Sequence, residues 1–236
     1  MTDPEREDLE KPKAGAGDVA HAIVRTGLSV IPIVGGTANE IFSSIITPPL
    51  AKRRDKWIES VVRKLEELEK TVKDFKLENL SKNEVFISAV TYATTIAIRN
   101  NQKEKLDALR NAVLNVALSS SADQDQIHMF LNYIDTFTEW HIRILMFFND
   151  PRGWAKKHDI VFPQYAGGSA SQVLEDAFPE LREKQDFYVQ IVKDLSDRGL
   201  MNNGRSLGVL STTGEMLGSR TTRIGKRFIE FIEFST

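Results

Sequence analysis

The chain has 236 residues, 41% hydrophobic and 27% charged, a globular composition with room for one large domain or two small ones. It has no cysteine, which excludes disulfide frameworks, thiolate metal sites and cysteine nucleophiles. A formal net charge of −2 means that contact with nucleic acid or anionic lipid has to come from a local patch.

Residues 1–17 are rich in charge, proline and glycine, lack the basic-then-apolar order of a secretion signal, and read as a flexible tail. From Val19 to Leu50 the chain is apolar but is cut by His21, Arg25 and Glu40 and punctuated by Gly27, Pro32, Gly35, Gly36, Pro48 and Pro49. No stretch reaches the roughly 18–20 apolar residues of a spanning helix. Asp18 to Ile33 reads as a first helix and Thr37 to Ile46 as a second, which Pro48-Pro49 is expected to stop.

The next helix carries the clearest signal. Ile58, Val61, Leu65, Leu68, Val72 and Phe75 recur every three or four residues, an amphipathic stripe with Lys64, Glu66, Glu67, Glu69 and Lys70 on the other faces. The stripe spans under three heptads, so packing inside the chain is expected rather than an autonomous coiled coil. Ser81-x-x-Glu84 reads as a capping box ahead of an apolar helix from Val85 to Ile98, expected to be the most buried. Leu106, Leu109, Val113 and Val116 mark another helix. Ile127, Phe130, Leu131, Ile134 and Phe137 mark one more, begun by Asp123 or Asp125.

The character changes near Thr136. Thr138 reads as an N-cap of a helix closed by Asn149-Asp150-Pro151, followed by an irregular stretch from Arg152 to Gly168. A short helix over Ala170 to Phe178, a longer one over Glu180 to Leu200, a hairpin pairing Ser206–Ser211 with Met216–Arg220, and a closing helix capped by Thr221 or Thr222 follow. The predicted class is therefore mainly α: a helical bundle over 18–135, then a winged-helix-like module with a small β-hairpin over 136–236.

Several of these residues carry a resemblance: Ile31-Pro32-Ile33-Val34-Gly35-Gly36, then Leu106-x-x-Leu109-Arg110-Asn111-Ala112-Val113-Leu114-Asn115, Phe130-Leu131 to Asp135, Asp150-Pro151, and the Thr222-x-x-Gly225-x-x-Phe228 end. Together they resemble a group of uncharacterised bacterial helical proteins and, more loosely, the bacterial abortive-infection alpha family. The resemblance implies an intracellular bacterial protein of phage defence or another stress response. It carries over no catalytic residue.

No enzymatic constellation is legible. His21, His128, His141 and His158 never pair at i, i+3 or i, i+4, so no metal-binding helix face is read. Asp123, Asp125 and His128 are better read as a capped helix start than as a metal site. Gly35-Gly36 lacks the Gly-Lys pair of a phosphate loop, and Ser119-Ser120-Ser121 is a linker. No cofactor, metal or small-molecule substrate is expected.

Two functional classes remain. The first is a non-enzymatic defence or stress protein acting through a protein partner, self-association or a membrane surface, cytoplasmic or peripheral at the inner membrane. Its candidate contacts are Ile31 and Ile33 in the apolar opening and Lys52, Arg53, Arg54 and Trp57, a basic cluster with an interfacial aromatic. The alternative is a winged-helix DNA-binding regulator, with Arg205, Arg220, Arg223 and Lys226 as phosphate contacts. The 180–200 helix disfavours it, setting Glu180, Glu183, Asp186, Asp194 and Asp197 against Arg182, Lys184, Lys193 and Arg198.

Overall fold

A computed structural model of the chain describes residues 37–119, 123–202 and 207–234, with side chains from residue 49 onward. Among the described residues the protein is mainly helical: eleven α-helices, one 3-10 turn and two isolated β-bridges. The helices are α1 (Thr37–Thr71), α2 (Leu77–Leu80), α3 (Glu84–Arg99), α4 (Lys103–Leu118), α5 (Gln124–Thr136), α6 (Glu139–Asn149), α7 (Pro151–Lys157), α8 (Ala170–Ala177), α9 (Gln185–Asp197), α10 (Thr213–Met216) and α11 (Arg223–Ile232).

The stripe read in the sequence is the buried face of α1. Val61, Leu65 and Leu68 are nearly inaccessible and meet α3, so this face is core within one chain. Pro48 and Pro49 do not stop the helix as expected; α1 runs through both, without the two N–H groups that would have met the Ser44 and Ile45 carbonyls. At α3 the capping box is a misreading. Asn83 is the N-cap, its Oδ1 accepting the Phe86 N–H at 3.0 Å, while Ser81 Oγ turns back to the Glu78 carbonyl. Asp123 caps α5 by accepting from the Asp125 and Gln126 N–H groups, as expected.

The central element is α4 rather than α3. It packs on α1, α3, α5, α6 and α11, with Leu109, Ala112, Val113 and Leu114 wholly enclosed. Two asparagines one turn apart explain part of the motif Asn111-x-x-x-Asn115. Asn111 Nδ2 donates to the Ile232 carbonyl at 2.9 Å, and Asn115 Nδ2 reaches the carbonyls of Glu230, Phe231 and Glu233 at 2.9–3.0 Å. Those are the last carbonyls of α11, which have no partner inside their own helix. The closing helix is thereby fastened to the bundle, and one continuous apolar core runs across the 135/136 boundary that the sequence suggests.

Around the α5–α6 corner, polar groups are buried with their partners. Lys105, 4% exposed, donates from Nζ to the Asp135 carbonyl at 2.9 Å, a cation at the C-terminal end of α5. His141 is 7% exposed and stacks on Phe137 at 4.8 Å. Its Nδ1 accepts the Thr138 N–H at 3.1 Å, so the ring proton sits on Nε2, 3.5 Å from Asp194 Oδ2. Burial holds its pKa below the ordinary histidine value; Asp194 pulls the other way, and Arg198 and Lys105 add to the lowering. A base whose folded pKa is depressed binds its proton more readily in the unfolded chain. Its contribution to stability is therefore full above about pH 6.5 and is lost as pH falls through the folded pKa. Urea midpoints are expected to fall on acidification below about pH 6.5, less so in His141→Gln; identical pH slopes in the two proteins would overturn this assignment.

The C-terminal part departs from expectation most. Arg152 to Lys157 is not irregular: Asp150 caps α7, its Oδ1 accepting the Gly153 N–H at 2.9 Å, and Pro151 occupies the first turn where its missing N–H costs nothing. The expected helix over 180–200 is a 3-10 turn at Pro179–Leu181 and then α9, separated at Glu183, which takes a positive φ of 65°. The hairpin is also a misreading. Ser211 pairs with Gly168 and Thr221 with Met201, each as a single antiparallel bridge, and the segment between them contains α10. Thr212, capping with Glu215, favours that helical turn over a strand. Thr222 caps α11 as expected, its Oγ1 accepting the Gly225 N–H at 3.0 Å.

Candidate functional site

The basic start of α1 faces the start of α4. Arg53, Lys56, Trp57 and Ser60 of α1, Asn100 and Asn101 of the turn after α3, and Lys103, Leu106, Asp107 and Arg110 of α4 line a groove of about 380 Å³. On α4 the positions 103, 107 and 110 are four and three apart, so all three lie on one helix face. Asp107 is held from both sides, by Lys103 Nζ and by Arg110 Nη2, each at 2.7 Å. Arg53 and Lys56 are exposed, and among the described residues neither has an ion-pair or hydrogen-bond partner. Four cations against one carboxylate make this groove strongly positive on a chain that is slightly negative overall.

Of the expected membrane contacts, Ile31 and Ile33 lie outside the described residues. Lys52 and Arg53 are solvent-facing, and Arg54 reaches Asp55 at 3.2 Å. Trp57 is not an interfacial aromatic. It is 5% exposed, and its Nε1 donates at 3.0 Å to Thr94 Oγ1, which donates in turn to the Val90 carbonyl. Trp57 lies four residues before Val61, on the buried face that continues through Leu65 and Leu68, and Thr94 supplies the acceptor that a buried indole needs. Lys103 and Arg110 were missed because the 103–118 segment reads as an apolar stripe. Their spacing from Asp107 was the available signal, but only the packing of α1 on α4 sets them opposite Arg53 and Lys56.

A larger cleft of about 900 Å³ opens where α4, α6, α7 and the end of α11 meet. Of its ionic groups, Asp107, Arg143 and Glu180 are paired within the protein. Arg143 lies 4.2 Å from the Trp140 ring and 4.9 Å from that of Phe178, and pairs with Glu180 at 3.1 Å and Glu139 at 3.5 Å. Burial, with the neighbouring Glu104 carboxylate, raises the Glu139 pKa. His158 stacks on Trp154 at 4.0 Å. No group of three or more His, Asp or Glu suited to a metal ion is found among the described residues.

Of the expected nucleic-acid contacts, two share one exposed helix face. Arg205 lies outside the described residues. Arg220 is half-buried, its guanidinium 5.8 Å from the Phe148 ring centroid. Arg223 and Lys226 are exposed on α11, which packs chiefly on α4 and α6. On α9, Lys193 is tied to Asp197 at 2.5 Å, so that helix offers no surplus cation there. No helix among the described residues is long and apolar enough to cross a membrane. Compared with family models, with curated proteins and with solved structures, the chain finds no match.

Proposed function

We propose that the protein works by contact rather than catalysis, as a bacterial defence or stress module in the cytoplasm that docks on an anionic membrane surface through the basic head of α1. The observation that carries this reading is the convergence of Arg53 and Lys56 with Lys103 and Arg110 on one groove, beside exposed Lys52. Each basic residue near an anionic bilayer contributes about 1 kcal/mol, and the attraction fades within a Debye length, so binding should be salt-sensitive. The defence role rests on the sequence resemblance alone. A protein partner with an acidic surface would use the same groove; a winged-helix DNA regulator has less support, since the described residues hold no two-stranded wing and Lys193 of α9 is paired with Asp197.

The test is co-sedimentation of the full chain with phosphatidylserine and with neutral phosphatidylcholine vesicles, at low and high salt. The variant Lys52→Glu/Arg53→Glu/Arg54→Glu runs alongside. Binding is expected only to the anionic vesicles at low salt, weakened by about a hundredfold or more in the variant. Equal binding to neutral vesicles, or none to either, sinks the membrane reading.

A further inference from the structure

We infer that the groove between α1 and α4 is a pocket for a phosphate group, a more specific statement that rests on reading this groove as the contact site. Three observations support it. The first is charge: the only carboxylate in the lining, Asp107, is already bridged by Lys103 and Arg110, so the Arg53 and Lys56 charges remain unmatched by any described residue. The second is the donor set: two of the four cations, Arg53 and Arg110, are arginines, and a guanidinium presents planar N–H groups that match phosphate oxygens.

The third is the helix start. α4 is 16 residues long, its N-cap Gln102 makes no side-chain capping bond, and Asn101 and Lys103 at that end line the groove. Uncapped first-turn N–H groups favour an anion and reinforce the four cationic side chains. The volume, about 380 Å³, exceeds that of a phosphate ion, and Ala97, Trp57 and Leu106 give one wall apolar character. The ligand is therefore a phosphate carried on an organic body. A phosphomonoester lipid headgroup and a soluble phosphate ester share that chemistry.

The experiment uses the full chain in two arms. In the first, inorganic phosphate and pyrophosphate are titrated calorimetrically. In the second, vesicles bearing phosphatidic acid are compared with phosphatidylserine vesicles of matched surface charge. Each arm includes Arg53→Gln/Lys56→Gln, which alters the groove, and Lys52→Gln/Arg54→Gln, which removes the same charge from the same stretch of helix outside it. Both pairs sit on the solvent side of α1, so folding is preserved in each. Saturable binding of phosphate or pyrophosphate is expected, about tenfold weaker in Arg53→Gln/Lys56→Gln and only about twofold weaker in Lys52→Gln/Arg54→Gln, whose charges act from outside the groove. A preference for phosphatidic acid identifies the lipid source; saturable binding without that preference identifies a soluble ester. Vesicle binding that both pairs weaken equally, with no saturable phosphate binding, overturns the pocket and leaves the surface reading standing. No binding in either arm overturns both.

Discussion

Replacing Phe228 by Ala is expected to destabilise the protein by about 3–5 kcal/mol, the range for emptying a fully buried aromatic site. Phe228 is wholly inaccessible and meets Phe130 edge-on at 5.3 Å and Tyr133 and Phe137 at 5.9 Å. These rings belong to α5, the α5–α6 corner and α11, so the cavity would open where the closing helix meets the bundle. In a chain of this length the loss corresponds to a fall in Tm of about 6–20 °C. Because the core is continuous across residue 135, loss of signal from both halves should remain a single transition. Two separated transitions, with the first confined to the C-terminal half, would show that the two parts unfold independently.

Gly225→Ala should come close to this in size for the opposite reason. A Cβ at residue 225 would lie 2.1 Å from the Leu200 carbonyl oxygen and 3.0 Å from its carbon, and backbone cannot rotate away as a side chain can. The same carbonyl accepts the Thr222 N–H at 3.0 Å, and Thr222 Oγ1 donates to the Gly199 carbonyl at 2.6 Å while accepting from Gly225. The Thr-x-x-Gly motif is thus a clasp: threonine caps α11 and holds the end of α9's loop, and glycine lets the helix lie directly on that loop. Overpacking here is expected to cost about 3 kcal/mol, the upper end of the usual range, or about 6–12 °C in Tm. Wild-type stability in Gly225→Ala, measured by urea denaturation, would mean that the close approach is not a constraint. Gly208, with open space around it, is the matched control.

Elements with a strong local signal were legible. The stripe of α1, the apolar faces of α3 to α6, the Asp123 and Thr222 caps and α8 all follow from periodicity and hydrogen-bond chemistry within a few residues. The errors fall where two local rules compete. Pro48-Pro49 reads as a stop because proline removes a helical hydrogen bond, yet α1 continues through it. The alternation from Ser206 to Ser211 reads as a strand, but among the described residues, 207–211 do not pair with Met216–Arg220; Ser211 bridges Gly168, and Thr212 starts a helical turn.

For the candidate site the division is sharper. The sequence by itself determined that the chain is mainly helical, that it lacks cysteine chemistry, and that positive charge gathers at Lys52, Arg53 and Arg54. Only the tertiary structure decided that Trp57 belongs to the core, that Asn111 and Asn115 fasten α11, and that Arg53 and Lys56 face Lys103 and Arg110 across about fifty residues of chain. The physical reason is range. Helix period, capping and composition are set by neighbours within about one turn, whereas a groove is the space left between two helices. Its charge depends on which faces the shared core turns outward.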